Sequence, residues 1–256
     1  MQGRLWSVAP DYWSKHFEPF FLPLYRNALQ SLRLDKDDVV LDAGCGAGMF
    51  TSMAISCGAM VTGVDAAAGL LEVARERNPG TNFLEEDLEA LPFAADAFDV
   101  VTGFNSFQYA GDFTNALREA KRVLKTGGRL VIGLWDVPEA SDATQVLKAI
   151  GALLPPPPPG TPGPFALSEE GKVEGILDSI GFDLTVKAKV RCPILYRSLE
   201  EGVKSFMGTG PAAAASNHTS AKQVERAVRN ALHPFGVANE VYHLENSFLL
   251  FVAKKR

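Results

Sequence analysis

The stretch Val39-Val40-Leu41-Asp42-Ala43-Gly44-Cys45-Gly46-Ala47-Gly48-Met49-Phe50 constrains this chain more than any other. An apolar, β-branched run reaches an acid, then a turn with glycine at alternate positions, then residues suited to a helix. Glycine permits φ > 0 in a tight turn and, having no Cβ, lets a ligand approach the backbone. A short buried strand that ends this way and opens a helix aims backbone N–H groups at whatever binds. The spacing rules out two common designs. Counting from Gly44, the sixth position is Met49, so the dinucleotide pattern Gly-x-Gly-x-x-Gly fails. No Gly-Lys-Ser/Thr follows either, so a Walker-type phosphate loop is absent.

The phrase Asp42-Ala-Gly44-Cys45-Gly46-Ala-Gly48 resembles the glycine-rich motif of class I S-adenosylmethionine-dependent methyltransferases. That ligand has no pyrophosphate. Its amino-acid end carries an ammonium and a carboxylate, which suits an acid beside free backbone groups. The resemblance implies that Asp42, Gly44, Cys45 and Gly46 meet the cofactor.

Further phrases follow in the family's order. Met60–Asp65 reads as a second short strand ending in an acid about 20 residues past the glycines, where a carboxylate can accept both hydroxyls of an adenosine ribose. Asp65 with Ala66 is the expected ribose contact, favoured by the glycine turn already in place over the other role of a strand-end Asp, capping the helix expected over 68–77. After the Pro79-Gly80 turn and a strand over Asn82–Glu85, Asp87-Leu88 and Leu91-Pro92-Phe93 resemble the family's adenine segment. There the Asp87 carboxylate would accept the exocyclic amine, and Leu88 would offer an apolar face and a backbone N–H. The strand over Ala97–Gly103 runs into a loop in which Asn105 is expected to reach the cofactor, with Phe107, Gln108 and Tyr109 facing the transferred methyl. Asn/Asp-Pro-Pro-Tyr/Phe is missing here, which argues against amino groups on bases as acceptors. The amphipathic run from Phe113 to Leu124, the Gly127-Gly128 turn and the strand beyond complete the resemblance, with Thr126 where the family usually has Pro.

The resemblance implies an α/β fold: a Rossmann-like seven-stranded sheet, mostly parallel with an antiparallel last strand at Ser247–Val252, and helices on both faces. Residues 1–37, rich in aromatics and broken by Pro10, Pro19 and Pro23, are expected to form an N-terminal helical cap. The methyltransferase domain would then span 38–256, with insertions at about 137–166 and 196–240 forming a substrate cap. Pro155–Pro159 reads as a polyproline II spacer, and Ser168-Glu169-Glu170 as the cap of a helix running to Ser179.

At 256 residues and 46% apolar, the chain has material for one large domain. A net charge of −5 favours neither nucleic acid nor an anionic membrane surface. Cys45, Cys57 and Cys192 are unclustered, so neither metal ligation nor a disulfide framework is expected, and a reducing cytoplasm fits. No apolar stretch is long enough to span a membrane. The expected partner is a small-molecule methyl acceptor. Methyl transfer from a sulfonium needs a general base only if the acceptor must lose a proton. His16, His218, His233 and His243 are the candidates, none of them singled out by a motif. A protein that binds S-adenosylmethionine without turnover is the alternative.

Overall fold

The computed structural model describes residues 2–156, 165–237 and 240–256. The chain begins with short helical pieces: α1 (Gln2–Trp6), α2 (Pro10–Tyr12), two further turns over Trp13–Phe17 and Glu18–Phe21, and α3 (Leu22–Leu32). Pro10, Pro19 and Pro23 each stand in the first turn of a new piece, where a missing N–H breaks no helical bond. Strands and helices then alternate through β1 (Val39–Ala43), α4 (Met49–Ser56), β2 (Met60–Asp65), α5 (Ala68–Arg77), β3 (Asn82–Glu85), β4 (Phe98–Phe104), α6 (Phe113–Val123) and β5 (Leu124–Trp135). The second half carries α7 (Ala143–Gly151), α8 (Lys172–Ser179), β6 (Phe182–Arg191), β7 (Ile194–Tyr196), α9 (Leu199–Met207), α10 (Gly210–His218), α11 (Ala221–Leu232), β8 (Tyr242–Leu244) and β9 (Ser247–Lys255).

The seven-stranded sheet has the order β3-β2-β1-β4-β5-β9-β6. Its first five strands are parallel, so β1 to β5 all end at the same edge. The last strand, β9, inserts antiparallel between β5 and β6, as the resemblance implied. The order reverses between β1 and β4. In open α/β sheets the crevice at such a switch point, outside the carboxyl ends of the strands, is where ligands bind.

Side-chain alternation builds the layers. Val40, Val100 and Val131 face α3 and α4, joining Leu24, Ala28 and Phe50. Their neighbours Leu41, Val101, Leu130 and Ile132 face the opposite side and join Leu117 and Ala120 of α6 and Leu177 of α8. Asp112 caps α6 by accepting the Asn115 N–H at 3.0 Å. Helices α9 and α11 pack on each other, and α9 lies against the turn at Trp13–Phe17, so the second insertion rests on the N-terminal segment. Within that insertion the run Gly210-Pro211-Ala212-Ala213-Ala214-Ala215 opens the helix α10.

Two local expectations need correcting. Ser168 does not cap α8: the cap is Gly171 at φ 78°, and the Ser168 hydroxyl donates to the Trp135 carbonyl at 2.8 Å. The serine is recruited by the end of β5 instead of by its own helix. The ribbon of β7 and β8 was not expected, because three-residue strands carry too little alternation to read. The spacer expected at Pro155–Pro159 lies mostly outside the described residues. No described helix is long and apolar enough to cross a membrane.

Phe248 on β9 ties the sheet to the N-terminal segment. It is 2% exposed, and its ring centroid lies 5.2 Å from Phe21 and 4.3 Å from Trp135. Phe248→Ala should therefore cost about 3–5 kcal/mol in denaturant unfolding; a loss below about 1 kcal/mol would mean that this junction does not hold the two parts together.

Candidate functional site

The turn after β1 is fixed by its surroundings. Gly44, Gly46 and Gly48 have φ of 78°, 53° and 77°, in the left-handed region. At Gly44 a Cβ would lie 2.2 Å from the Ser106 Cβ, so a side chain is excluded by strain and by space together. The Ser106 hydroxyl donates to the Ala43 carbonyl at 2.7 Å, pinning the loop after β4 against the end of β1. On the other side, the Asn78 side chain donates to the Gly48 carbonyl at 3.0 Å.

The N–H groups of the turn are directed by their partners. Those of Gly44 and Cys45 both donate to the Val64 carbonyl, at 2.7 and 2.9 Å. That of Gly46 donates to Asp65 Oδ2 at 2.8 Å, while Asp65 Oδ1 accepts from Ala67 at 2.8 Å. Asp65 thus joins the glycine turn to the start of α5. Burial raises its carboxyl above the usual range, opposed by these backbone donors. An ionised carboxylate has about four acceptor positions, so lone pairs remain on both oxygens. Ala66 is exposed beside it.

Asp42 sits beneath the turn at 1% exposure. Its oxygens accept from the Thr51 hydroxyl at 2.6 Å and the Thr102 hydroxyl at 3.1 Å, linking α4, β1 and β4. Burial pushes its carboxyl up to about 6 against those two hydroxyls.

Asp87 and Leu88 follow β3, whose last residue Glu85 pairs in register with Asp65. The Glu86 N–H donates to the Asp65 carbonyl at 3.1 Å, so both acids stand at the same edge on adjoining strands. Asp87 is exposed and accepts the Glu89 N–H at 2.9 Å, closing its own turn, and Leu88 is half-buried. Asn105 has φ 52°, a conformation that Asn tolerates better than most residues. Its N–H donates to the Gly133 carbonyl at 2.7 Å, and its side chain accepts from Gln108. Gln108 Oε1 is buried without a partner.

One expectation in this loop changes. Phe107 faces away from the crevice: it is 1% exposed, in the core beneath α6, with Gly103 against its ring. Tyr109 does line a narrow crevice, about 10 Å³ or room for about one water, with Trp6, Phe17, Asn105, Trp135 and Leu147 among the walls. Among the described residues, no histidine lines that crevice. His218 and His233 are exposed, and His243 lies 3.4 Å from Glu245 near the surface. No described group of His, Cys, Asp and Glu is arranged to hold a metal.

Sequence reasoning missed Glu18. It is 2% exposed, accepts the Met49 N–H at the head of α4 at 3.2 Å, and pairs with Arg77 at the end of α5 at 2.5 Å. Its signal was available: one acid inside the apolar run Phe17-Glu18-Pro19-Phe20-Phe21, and a buried acid demands partners. Nearby, the Ser7 hydroxyl accepts the Gly69 N–H at 3.1 Å. The N-terminal segment therefore lies directly on the glycine turn and on the start of α5.

A profile described as a methyltransferase domain matches residues 41–132. Over 116 residues the chain is 34% identical to a malonyl-[acyl-carrier protein] O-methyltransferase of Erwinia pyrifoliae, covering 45% of this chain and 44% of that one. Over 99 residues it is 35% identical to a demethylmenaquinone methyltransferase of Renibacterium salmoninarum, covering 39% and 42%. The chain thus matches less than half the length of these curated relatives. The solved structure of YjhP from E. coli superposes with a TM-score of 0.63 at 19% identity, over 99% of this chain and all of that one, a likeness of fold.

Burial raises the Glu18 carboxyl from an ordinary 4.5 to about 7, against the pull of Arg77 and Met49 and with help from Asp42. The folded state then holds this proton more tightly than the unfolded chain, so its contribution is full below the ordinary value and is lost as pH rises through about 7. Thermal unfolding midpoints of Glu18→Gln should fall less than those of wild type between about pH 5 and about pH 8; parallel curves would contradict the burial cost.

Proposed function

We propose that this chain, a member of the class I S-adenosylmethionine-dependent methyltransferases, transfers the methyl of S-adenosylmethionine to an O, N or C atom of a small, partly apolar acceptor. The observation that carries the reading is the Asp65 carboxylate, bound to Gly46 across the glycine turn with lone pairs left for two vicinal hydroxyls. Asp65 and Ala66 are assigned to the ribose, Asp87 and Leu88 to the adenine, and Gly44, Cys45, Gly46 and Asn105 to the rest of the cofactor. Asp42, expected from the resemblance to meet the cofactor, is buried with both oxygens engaged by Thr51 and Thr102, and is assigned a positioning role instead.

The residues fit such a ligand. Trp13 Nε1 and Gln108 Oε1 are buried without partners, one a donor and the other an acceptor. Glu18, Asp42 and Asp65 outnumber Arg77, so the neighbourhood favours a cation when they are ionised. When bound, the cofactor supplies a methyl on positively charged sulfur, which is already an activated leaving group. What the protein must add is alignment and a dry cavity. Trp6, Phe17, Trp135 and Leu147 give the crevice apolar walls, and Asn105 and Tyr109 give it a polar end. Burial pushes the Tyr109 hydroxyl up to about 12, so near neutral pH it serves as a hydrogen-bonding group and not as a base. Residues 1–37 are assigned to the cap over the cofactor, and the segments at about 137–166 and 196–240 to the acceptor. The two relatives are named for different acceptors, and the crevice as it stands is too small to hold one, so the acceptor class proposed here rests on the family resemblance and on the apolar residues around the crevice.

Isothermal titration with S-adenosylmethionine and S-adenosylhomocysteine tests the reading. Wild type should bind both, and Asp65→Ala should weaken both by tenfold or more, about 1.4 kcal/mol. Wild-type protein that binds neither ligand would refute it.

A further inference from the structure

Trp13 belongs to the N-terminal segment assigned to the cap, and no particular part of the cofactor has been assigned to its side chain. It is 7% exposed. Its ring stacks on Phe17 with centroids 5.0 Å apart and meets Trp6 edge-on at 4.9 Å. Its polar atom Nε1 nevertheless has no partner. Leaving a buried donor unpaired carries its full desolvation cost. Nε1 points toward the glycine turn: a Cβ placed on Gly46 would lie 3.5 Å from it and 3.8 Å from Glu18 Oε1. Glu18 in turn accepts the first N–H of the eight-residue α4 and pairs with Arg77. One spot beside Gly46 therefore gathers an unused N–H donor, a carboxylate, a guanidinium and a helix N-terminus.

Such a set matches a zwitterion better than a simple anion. A ligand carboxylate accepts from Trp13 Nε1 and is favoured by the helix end and Arg77. A ligand ammonium is favoured by Glu18. We propose that Trp13 and Glu18 recognise the α-amino-acid end of the cofactor, so that the N-terminal segment selects ligands carrying that end over bare adenosine thioethers. The inference rests on the S-adenosylmethionine reading.

Titration of S-adenosylhomocysteine and 5′-methylthioadenosine separates the two claims, because the second ligand keeps the adenosine and lacks the amino-acid end. Trp13→Phe keeps an aromatic ring beside Phe17 and removes the indole N–H together with the rest of the five-membered ring, so the comparison of the two ligands, and not the absolute loss, reads the role of the N–H. The variant should weaken S-adenosylhomocysteine by about tenfold and leave 5′-methylthioadenosine unchanged. Glu18→Gln should shift the same ratio in the same direction, which preserves the test if Trp13→Phe does not fold. Equal weakening of both ligands, or none, with wild type binding both, would overturn the amino-acid site and leave the methyltransferase reading standing. Wild type binding neither ligand would overturn both.

Discussion

The left-handed path from Gly44 to Gly48 is the constraint on which the rest of this structure depends. It is held from two sides, by Ser106 at its start and by Asn78 at its end. A residue with a Cβ at Gly44 would have to displace the loop after β4. That one turn sets where β1 stops, where α4 begins and where the β4 loop can pass. The carboxyl edges of five parallel strands then open around it.

Buried acids do the tying. Asp42 fastens β1 to α4 and β4 from below, Asp65 fastens the turn to α5, and Glu18 fastens the N-terminal segment to α4 and α5 from above. Each is paid back by hydroxyls, backbone N–H groups or a guanidinium, and none is left bare. Burial still holds all three carboxyls above their ordinary values. A chain that needed only stability would fill these positions with apolar side chains. These acids gather at one sheet edge, the edge proposed above to hold the cofactor.

The central scaffold was legible in the sequence because its signals are local. Met60–Asp65, Ala68–Arg77 and Asn82–Glu85 have the limits expected, set by apolar runs between glycines, prolines and acids. The antiparallel last strand was legible only through the family resemblance, since pairing order is not written in one strand. What stayed hidden depends on distant partners. Glu18 meets residues 31 and 59 positions away. Ser168 is claimed by the end of β5, 33 positions back. Phe107 turned inward because Gly103 leaves room for its ring, a fact about packing that the loop sequence does not carry.

The most direct test is a crystal structure with S-adenosylhomocysteine bound. The ribose hydroxyls should lie on Asp65, the adenine beside Asp87 and Leu88, and the amino-acid end against Gly46. A ligand seated at the opposite edge of the sheet, or at this edge without touching Asp65, would contradict the account.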